Sequence, residues 1–331
     1  MISVAVITGF LGSGKTTLLR RVLRDPRYAD SAVIVNEFGE IPLDHELVAA
    51  SKEILLSTST GCLCCAVRSD LTATLLDLLH RREAGEVPPY ARVLVETSGL
   101  ADPAPILHAL MTDKPVAATH RLDSVVTLVD ALHGAATLAR HPEAERQAML
   151  ADRILLTKPD LVLDTAPLVA QLRRLNATAP IETAMHGVVS PERLFAPGQH
   201  AADPAALAAW LTAAGHAARH SPGLACTAIE REAPLPALAL TLWMQALAEH
   251  AGARLLRLKG LVRIAEAPER PAAIHAVQHV LHPPEWLEGW PSADRRSRIV
   301  LIGQGIPRHF PARLLAAIEA EVAEETARRA S

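Results

Sequence analysis

Gly9-Phe10-Leu11-Gly12-Ser13-Gly14-Lys15-Thr16 constrains this chain more than any other stretch. It has the pattern G-x-x-x-x-G-K-[ST] and stands between an apolar, β-branched run, Val4 to Thr8, and a helical pattern, Thr17 to Leu23. A glycine-rich turn in that position lets consecutive backbone N–H groups turn inward, while the helix behind it presents the positive end of its dipole, and together they cradle phosphate oxygens. Lys15 is expected to reach the β- and γ-phosphates of a nucleotide and the Thr16 hydroxyl to ligate Mg²⁺. The bland alternative is an ordinary strand-to-helix turn, which the strand before and the helix after make the weaker reading.

A strand–loop–helix start implies parallel neighbours, and the first half supplies them. Apolar runs recur at Ser3 to Thr8, Ala32 to Asn36, Arg92 to Glu96, Ser124 to Val129 and Arg153 to Thr157, with helical patterns such as Leu71 to Leu79 between. Strands hydrophobic on both faces that alternate with helices predict a doubly wound α/β domain with a mainly parallel sheet. From Pro197 to Pro222 the chain turns rich in Ala, Pro, Gly and His. Beyond it a strand (Cys226 to Glu230), a helix (Pro236 to His250), strands around Arg254 to Ile264, His275 to Leu281 and Arg298 to Ile302, and a helix (Pro311 to Ala327) predict a smaller α+β domain. The expected division is 1–200 for the P-loop domain, 201–222 for a linker and 223–331 for the second domain.

Composition then removes several classes of function. In 331 residues, 33 Lys and Arg against 36 Asp and Glu leave a formal charge of -3, so nothing drives the chain toward nucleic acid or anionic lipid. Aromatic residues at 3% also argue against a base-stacking surface. No basic leader precedes the first apolar run, and the longest later one, Leu235 to Ala248, falls short of the roughly 20 residues that span a bilayer. A cytoplasmic protein without membrane or nucleic-acid partners is expected.

Two further strand ends carry chemistry. Thr157-Lys158-Pro159-Asp160 resembles the N-K-x-D element of GTPases, in which a carboxylate accepts from guanine N1–H and the exocyclic amino group; adenine offers neither donor there. A buried group left unpaired rejects the wrong base strongly. Lys158 is expected to lay its alkyl stem along the base. Glu96-Thr97-Ser98-Gly99 has the D-x-x-G layout with Glu for Asp, which places Glu96 as the acid facing Mg²⁺, directly or through water, and Gly99 as a sensor of the γ-phosphate. A strand-end Glu that merely caps the next segment is the alternative.

Gly61-Cys62-Leu63-Cys64-Cys65 packs three thiols into four positions. Thiolates are soft ligands that favour Zn²⁺ or Cu(I) over Mg²⁺. A disulfide between the neighbours Cys64 and Cys65 would be strained, and buried apolar cysteine is the remaining alternative. Asn36-Glu37-Phe38-Gly39-Glu40, with Asp44 and His45 after it, lies between the P-loop and these cysteines, where GTPases carry a nucleotide-sensing switch. Glu37, and less so His45, could be added to or withdrawn from a thiolate-bound ion.

The P-loop, N-E-F-G-E, G-C-x-C-C, E-T-S-G and T-K-x-D, in this order, resemble the CobW-like metallochaperone family of P-loop GTPases. Arg257-Leu258-Lys259-Gly260, Gln278 and Arg298 to Gly303 resemble that family's C-terminal domain. The resemblance implies a GTPase that binds a transition metal, zinc or cobalt, at Cys62, Cys64 and Cys65 and delivers it to a client metalloprotein, with the nucleotide state gating metal affinity. Position by position it gives Gly12, Ser13, Gly14, Lys15, Thr16 and Thr17 to the phosphates and Mg²⁺, Glu96 and Gly99 to the magnesium and γ-phosphate side, and Thr157, Lys158 and Asp160 to guanine. Lys15, Thr16 and Glu96 become the catalytic set and Glu37 an added metal ligand. Pro42-Leu43 replace the usual Gly-Ile, Thr157 replaces the usual Asn, and His216 and His220 are all that stands for a histidine tract. The rival readings are a non-enzymatic metal sensor or structural zinc protein that merely holds guanine nucleotide, and a P-loop kinase, which a guanine-reading Asp160 disfavours.

Overall fold

A computed structural model describes residues 1–28, 30–35, 54–57, 66–176, 179–184, 194–195, 224–277, 280–281 and 284–330. The chain divides into two units, Met1–Pro197 and Gly198–Ser331. In the first, β1 (Ile2–Gly9), β2 (Ser31–Val35), β3 (Ile54–Ser57), β4 (Arg92–Glu96), β5 (His120–Asp130), β6 (Arg153–Thr157) and β7 (Ile181–Ala184) form one sheet in the order β3-β2-β4-β1-β5-β6-β7. Every pairing in it is parallel. The helices described in this unit are α1 (Lys15–Leu23), α2 (Ala66–Glu83), α3 (Ala104–Thr112), α4 (Lys114–Thr119), α5 (Gly134–Arg140), α6 (Pro142–Leu150) and α7 (Ala166–Leu175).

Alternation along the strands feeds two separate cores. Val126 and Leu128 of β5 and Leu155 of β6 pack with Leu18, Leu19 and Val22 of α1. Their neighbours Val129, Ile154 and Leu156 pack instead with Leu138 of α5, Ala148 of α6 and Leu172 of α7. The sheet is therefore covered on both faces, which is why its strands read as continuous apolar runs. Two consequences position the site. β1 lies between β4 and β5, so the chain leaving Gly9 emerges beside Glu96 and Leu128. β6 lies beyond β5, with Thr157 opposite Asp130.

The second unit is the expected smaller α+β domain. Its strands are β8 (Leu224–Arg231), β9 (Leu255–Val262), β10 (Ala272–Val277), β11 (Val280–Leu281), β12 (Glu285–Trp286) and β13 (Ser297–Gln304). They pair antiparallel in the order β11-β10-β9-β13-β8, with β12 beside β10. Trp243 and Leu247 of α8 (Ala237–Ala251) and Leu315 of α9 (Phe310–Ala330) cover one face, packing on Leu258, Ile274, Ile299 and Leu301. The buried Trp243 indole N–H donates to Pro311 O at 2.9 Å, which fixes the helix pair.

Candidate functional site

The first unit's site is built at the carboxyl ends of β1, β4, β5 and β6. β1 ends on Gly9, whose φ of +143° suits glycine, and a Cβ there would lie 2.5 Å from Leu128 O. Gly12 and Gly14 also have positive φ, 74° and 96°, so the loop coils back on itself, with Ser13 N–H donating to Phe10 O at 3.1 Å. Gly14 caps α1 with no side-chain hydrogen bond, and no acidic residue stands in the helix's first turn. The first N–H groups of α1 are thus left for an anion, and the helix dipole favours one there.

Lys15 is buried, its Nζ donating to Gly9 O at 2.9 Å and Phe10 O at 3.4 Å. The ammonium closes the mouth of the loop whose phosphates it is expected to meet. Thr16 Oγ1 donates to Glu96 Oε1 at 2.9 Å, across 80 residues of sequence. Glu96 is itself 2% exposed, at the end of β4 beside Ile7. Two hard oxygens at this separation fit adjacent corners of a magnesium octahedron, whose edge is about 3.0 Å for metal–oxygen distances of ~2.1 Å. Thr17 is exposed on the next turn step of the helix.

The segment after β4 leans on the P-loop. Thr97 Oγ1 donates to Thr8 Oγ1 at 2.8 Å and Thr97 N–H to Ile7 O at 3.0 Å. Gly99 abuts Leu11 so closely that a Cβ would sit 2.7 Å from Leu11 N.

From the other side comes the segment after β6. Thr157 Oγ1 donates to Ser13 O at 2.8 Å, and Lys158, at φ 56°, turns its Nζ onto Gly12 O at 2.9 Å and Asp130 Oδ2 at 2.6 Å. Asp160 follows on a single 3-10 turn, Pro159–Leu161, and is exposed. Asp130 is the residue that motif reading missed. It ends β5, accepts from the N–H groups of Leu132 and His133 at 2.8 and 3.2 Å, and fixes Lys158. Burial pushes its carboxyl up, but the Lys158 hydrogen bond and the two amides outweigh that and hold it below its ordinary value. The available signal was an acid ending an apolar run one strand from the P-loop.

Gly12, Ser13, Gly14, Lys15, Thr16, Glu96, Gly99, Thr157 and Lys158 thus converge on one loop. Glu37, Cys62, Cys64 and Cys65 lie outside the described residues, as do His45, His216, His220 and Gln278. Among the described residues no group of three or more His, Cys, Asp or Glu side chains is placed to hold a metal ion.

This arrangement agrees with what the sequence matches. The model of the CobW/HypB/UreG nucleotide-binding domain matches residues 3–183, and that of the cobalamin synthesis protein cobW C-terminal domain matches residues 224–319. The chain belongs to the CobW family. One CobW-family relative, the zinc chaperone YjiA of Escherichia coli (strain K12), is 32% identical over 306 residues, 92% of this chain and 95% of that one. The zinc-regulated GTPase metalloprotein activator 1 of Saccharomyces cerevisiae is 30% identical over 206 residues, 54% of this chain and 47% of the other. The crystal structure of Zn(II)-bound YjiA GTPase from E. coli superposes with a TM-score of 0.71 at 28% identity, covering 96% of this chain and 98% of that one. Membership places the chain among P-loop GTPases whose named relatives include zinc chaperones. Among the described residues no helix is long and apolar enough to cross a membrane.

Proposed function

We propose that this chain hydrolyses GTP and carries a transition metal, zinc or secondarily cobalt, to a client metalloprotein, with the nucleotide setting how firmly the metal is held. The observation that carries the hydrolytic half is the Thr16–Glu96 pair at 2.9 Å beside a buried Lys15 in an uncapped glycine loop. The zinc half rests on Cys62, Cys64 and Cys65 and on likeness to relatives named as zinc chaperones.

In this mechanism Gly12, Ser13, Gly14 and Thr17 offer backbone N–H groups to phosphate oxygens. Lys15 exchanges its carbonyl partners for the β- and γ-phosphates, and Gly99 N–H meets the γ-phosphate. Thr16 and Glu96 are the residues that would hold Mg²⁺, which when bound neutralises charge on the β- and γ-phosphates. Lys158, locked by Asp130, lies along the guanine while Asp160 accepts from it. Catalysis is then positioning and electrostatics, and no arginine finger is supplied by the motifs, so basal turnover is slow, nearer the roughly 10⁻³ s⁻¹ of unstimulated GTPases than a kinase's rate.

The metal is cargo rather than a resident cofactor. The thiolates of Cys62, Cys64 and Cys65 and the carboxylate of Glu37 form its ligand set, in a reducing cytoplasm. The functional division follows 1–200, 201–222 and 223–331. Titration of the reduced protein with Co²⁺, followed through thiolate charge-transfer bands, tests both halves when repeated with GTP analogue, GDP and no nucleotide. Equal cobalt affinity in all three states defeats the gating, and ATP competing as well as GTP defeats the assignment of Asp160.

A further inference from the structure

A glutamine sits where the α6 stripe should be apolar. Ala144, Gln147 and Ala148 share the inward face of this helix, and Gln147 is 1% exposed. A buried primary amide costs free energy unless its polar atoms are met. Its Nε2 meets Gly99 O at 3.2 Å and Ala101 O at 3.0 Å, more than forty residues back along the chain. Its own backbone carbonyl accepts from Thr127 Oγ1 of β5 at 2.7 Å. The preceding residue grips the same loop, since Arg146 Nη1 donates to Asp102 Oδ2 at 2.6 Å. Residues 99–102 are therefore held by two consecutive side chains of α6, in addition to the contact of Gly99 with Leu11.

The other end of this amide points the same way. Among the described residues Gln147 Oε1 and Ser13 Oγ are buried without a hydrogen-bond partner, and both residues line one cavity of about 140 Å³ beside the P-loop. The two amide bonds then set where Gly99 N–H rests.

We infer that Gln147 is a positioning residue that sets how strongly the site distinguishes GTP from GDP, by holding Gly99 where its N–H meets the γ-phosphate. This rests on the reading of Gly99 given above. GDP has no γ-phosphate, so a displaced Gly99 weakens GTP binding and leaves GDP binding in place. Gln147→Met keeps the length of the side chain and removes both donors. Gln147→Glu keeps its outline and turns an acceptor toward two carbonyl oxygens.

The test is equilibrium binding of fluorescent GTP analogue and GDP to the full chain and to each variant, with single-turnover hydrolysis alongside. Gln147→Met should lower analogue affinity about 10-fold, with Gln147→Glu lowering it further, while GDP affinity moves less than about 2-fold. Thr127→Val, which frees the carbonyl of residue 147, should shift the ratio the same way by less, and it serves if either glutamine variant fails to fold. An unchanged GTP-to-GDP ratio in the folded variants, or an equal loss for both nucleotides, overturns the inference. Lys15→Ala separates the two layers. If it leaves nucleotide binding intact, the P-loop reading falls and this one with it; if it abolishes binding while the Gln147 variants keep the wild-type ratio, only this inference falls.

Discussion

The Thr157 hydroxyl, together with the Lys158 ammonium on Gly12 O, ties the end of β6 to the P-loop. Thr157 Oγ1 has one proton, and it goes to Ser13 O at 2.8 Å, which leaves none for a base. Thr157→Val keeps the shape and leaves Ser13 O without that donor, at a cost of about 1 kcal/mol. The expected outcome is GTP and GDP affinities lowered together, roughly 3- to 10-fold, in a fluorescent-nucleotide titration; loss for GTP alone would contradict it. Gly99 makes a different kind of demand. A methyl there would lie 2.7 Å from Leu11 N and 2.9 Å from Leu11 Cα, and backbone cannot yield as a side-chain tip can. Gly99→Ala should therefore push the P-loop and the segment after β4 apart, at ~1–3 kcal/mol for such overpacking. The readout is the rise in Tm on adding GTP and Mg²⁺, which should shrink well below that of the parent protein.

β5 carries its consequences at both ends. Asp130 at its carboxyl end locks Lys158, while His120 at its start is 2% exposed, with Nδ1 2.9 Å from Thr119 Oγ1 and Nε2 without a partner among the described residues. Burial, then the charges of the N-terminus and Arg82, lower the imidazole from 6.5 to about 4. The folded chain keeps it neutral where the unfolded chain would charge it. That contribution to stability is complete above pH 6.5 and is lost as pH falls toward about 4. By about pH 5 the loss is on the order of 2 kcal/mol, and His120→Leu should flatten that part of a urea-midpoint-against-pH curve. The same strand explains what could be read in advance. Its apolar run announced a buried parallel strand, and Arg92–Glu96 and Arg153–Thr157 were legible residue for residue for the same reason. The four-residue strands β3 and β7 were not, since Ile54–Ser57 and Ile181–Ala184 are too short to show a period. The P-loop, Glu96 and Lys158 were visible because each belongs to a spaced motif at a strand end. Asp130 and Gln147 belong to none, and their roles come from partners brought near only by the β1-β5-β6 order.

Across the full chain the proposed activity is a linkage between two ligands, and linkage is reciprocal. If GTP tightens the metal by some factor, the metal must tighten GTP by the same factor, because both paths join the same four states. A coupling of about 1–3 kcal/mol corresponds to a roughly 5- to 150-fold change. Zn²⁺ affinity by competition with a chelator of known strength should thus differ by a factor in this range between the GTP-analogue and GDP forms. The affinity for GTP analogue should improve by a matching amount when Zn²⁺ saturates the protein, once the GDP form is used as the common reference. Lys15→Ala removes the cation proposed to meet the β- and γ-phosphates, so it should leave the metal affinity of the nucleotide-free protein in place and erase the difference between nucleotides. Cys62→Ser should do the converse, keeping nucleotide binding while weakening the metal in every state. Identical zinc affinities with GTP analogue and GDP in the parent protein would mean that hydrolysis releases nothing, leaving a guanine-nucleotide binder whose cysteines serve some separate end.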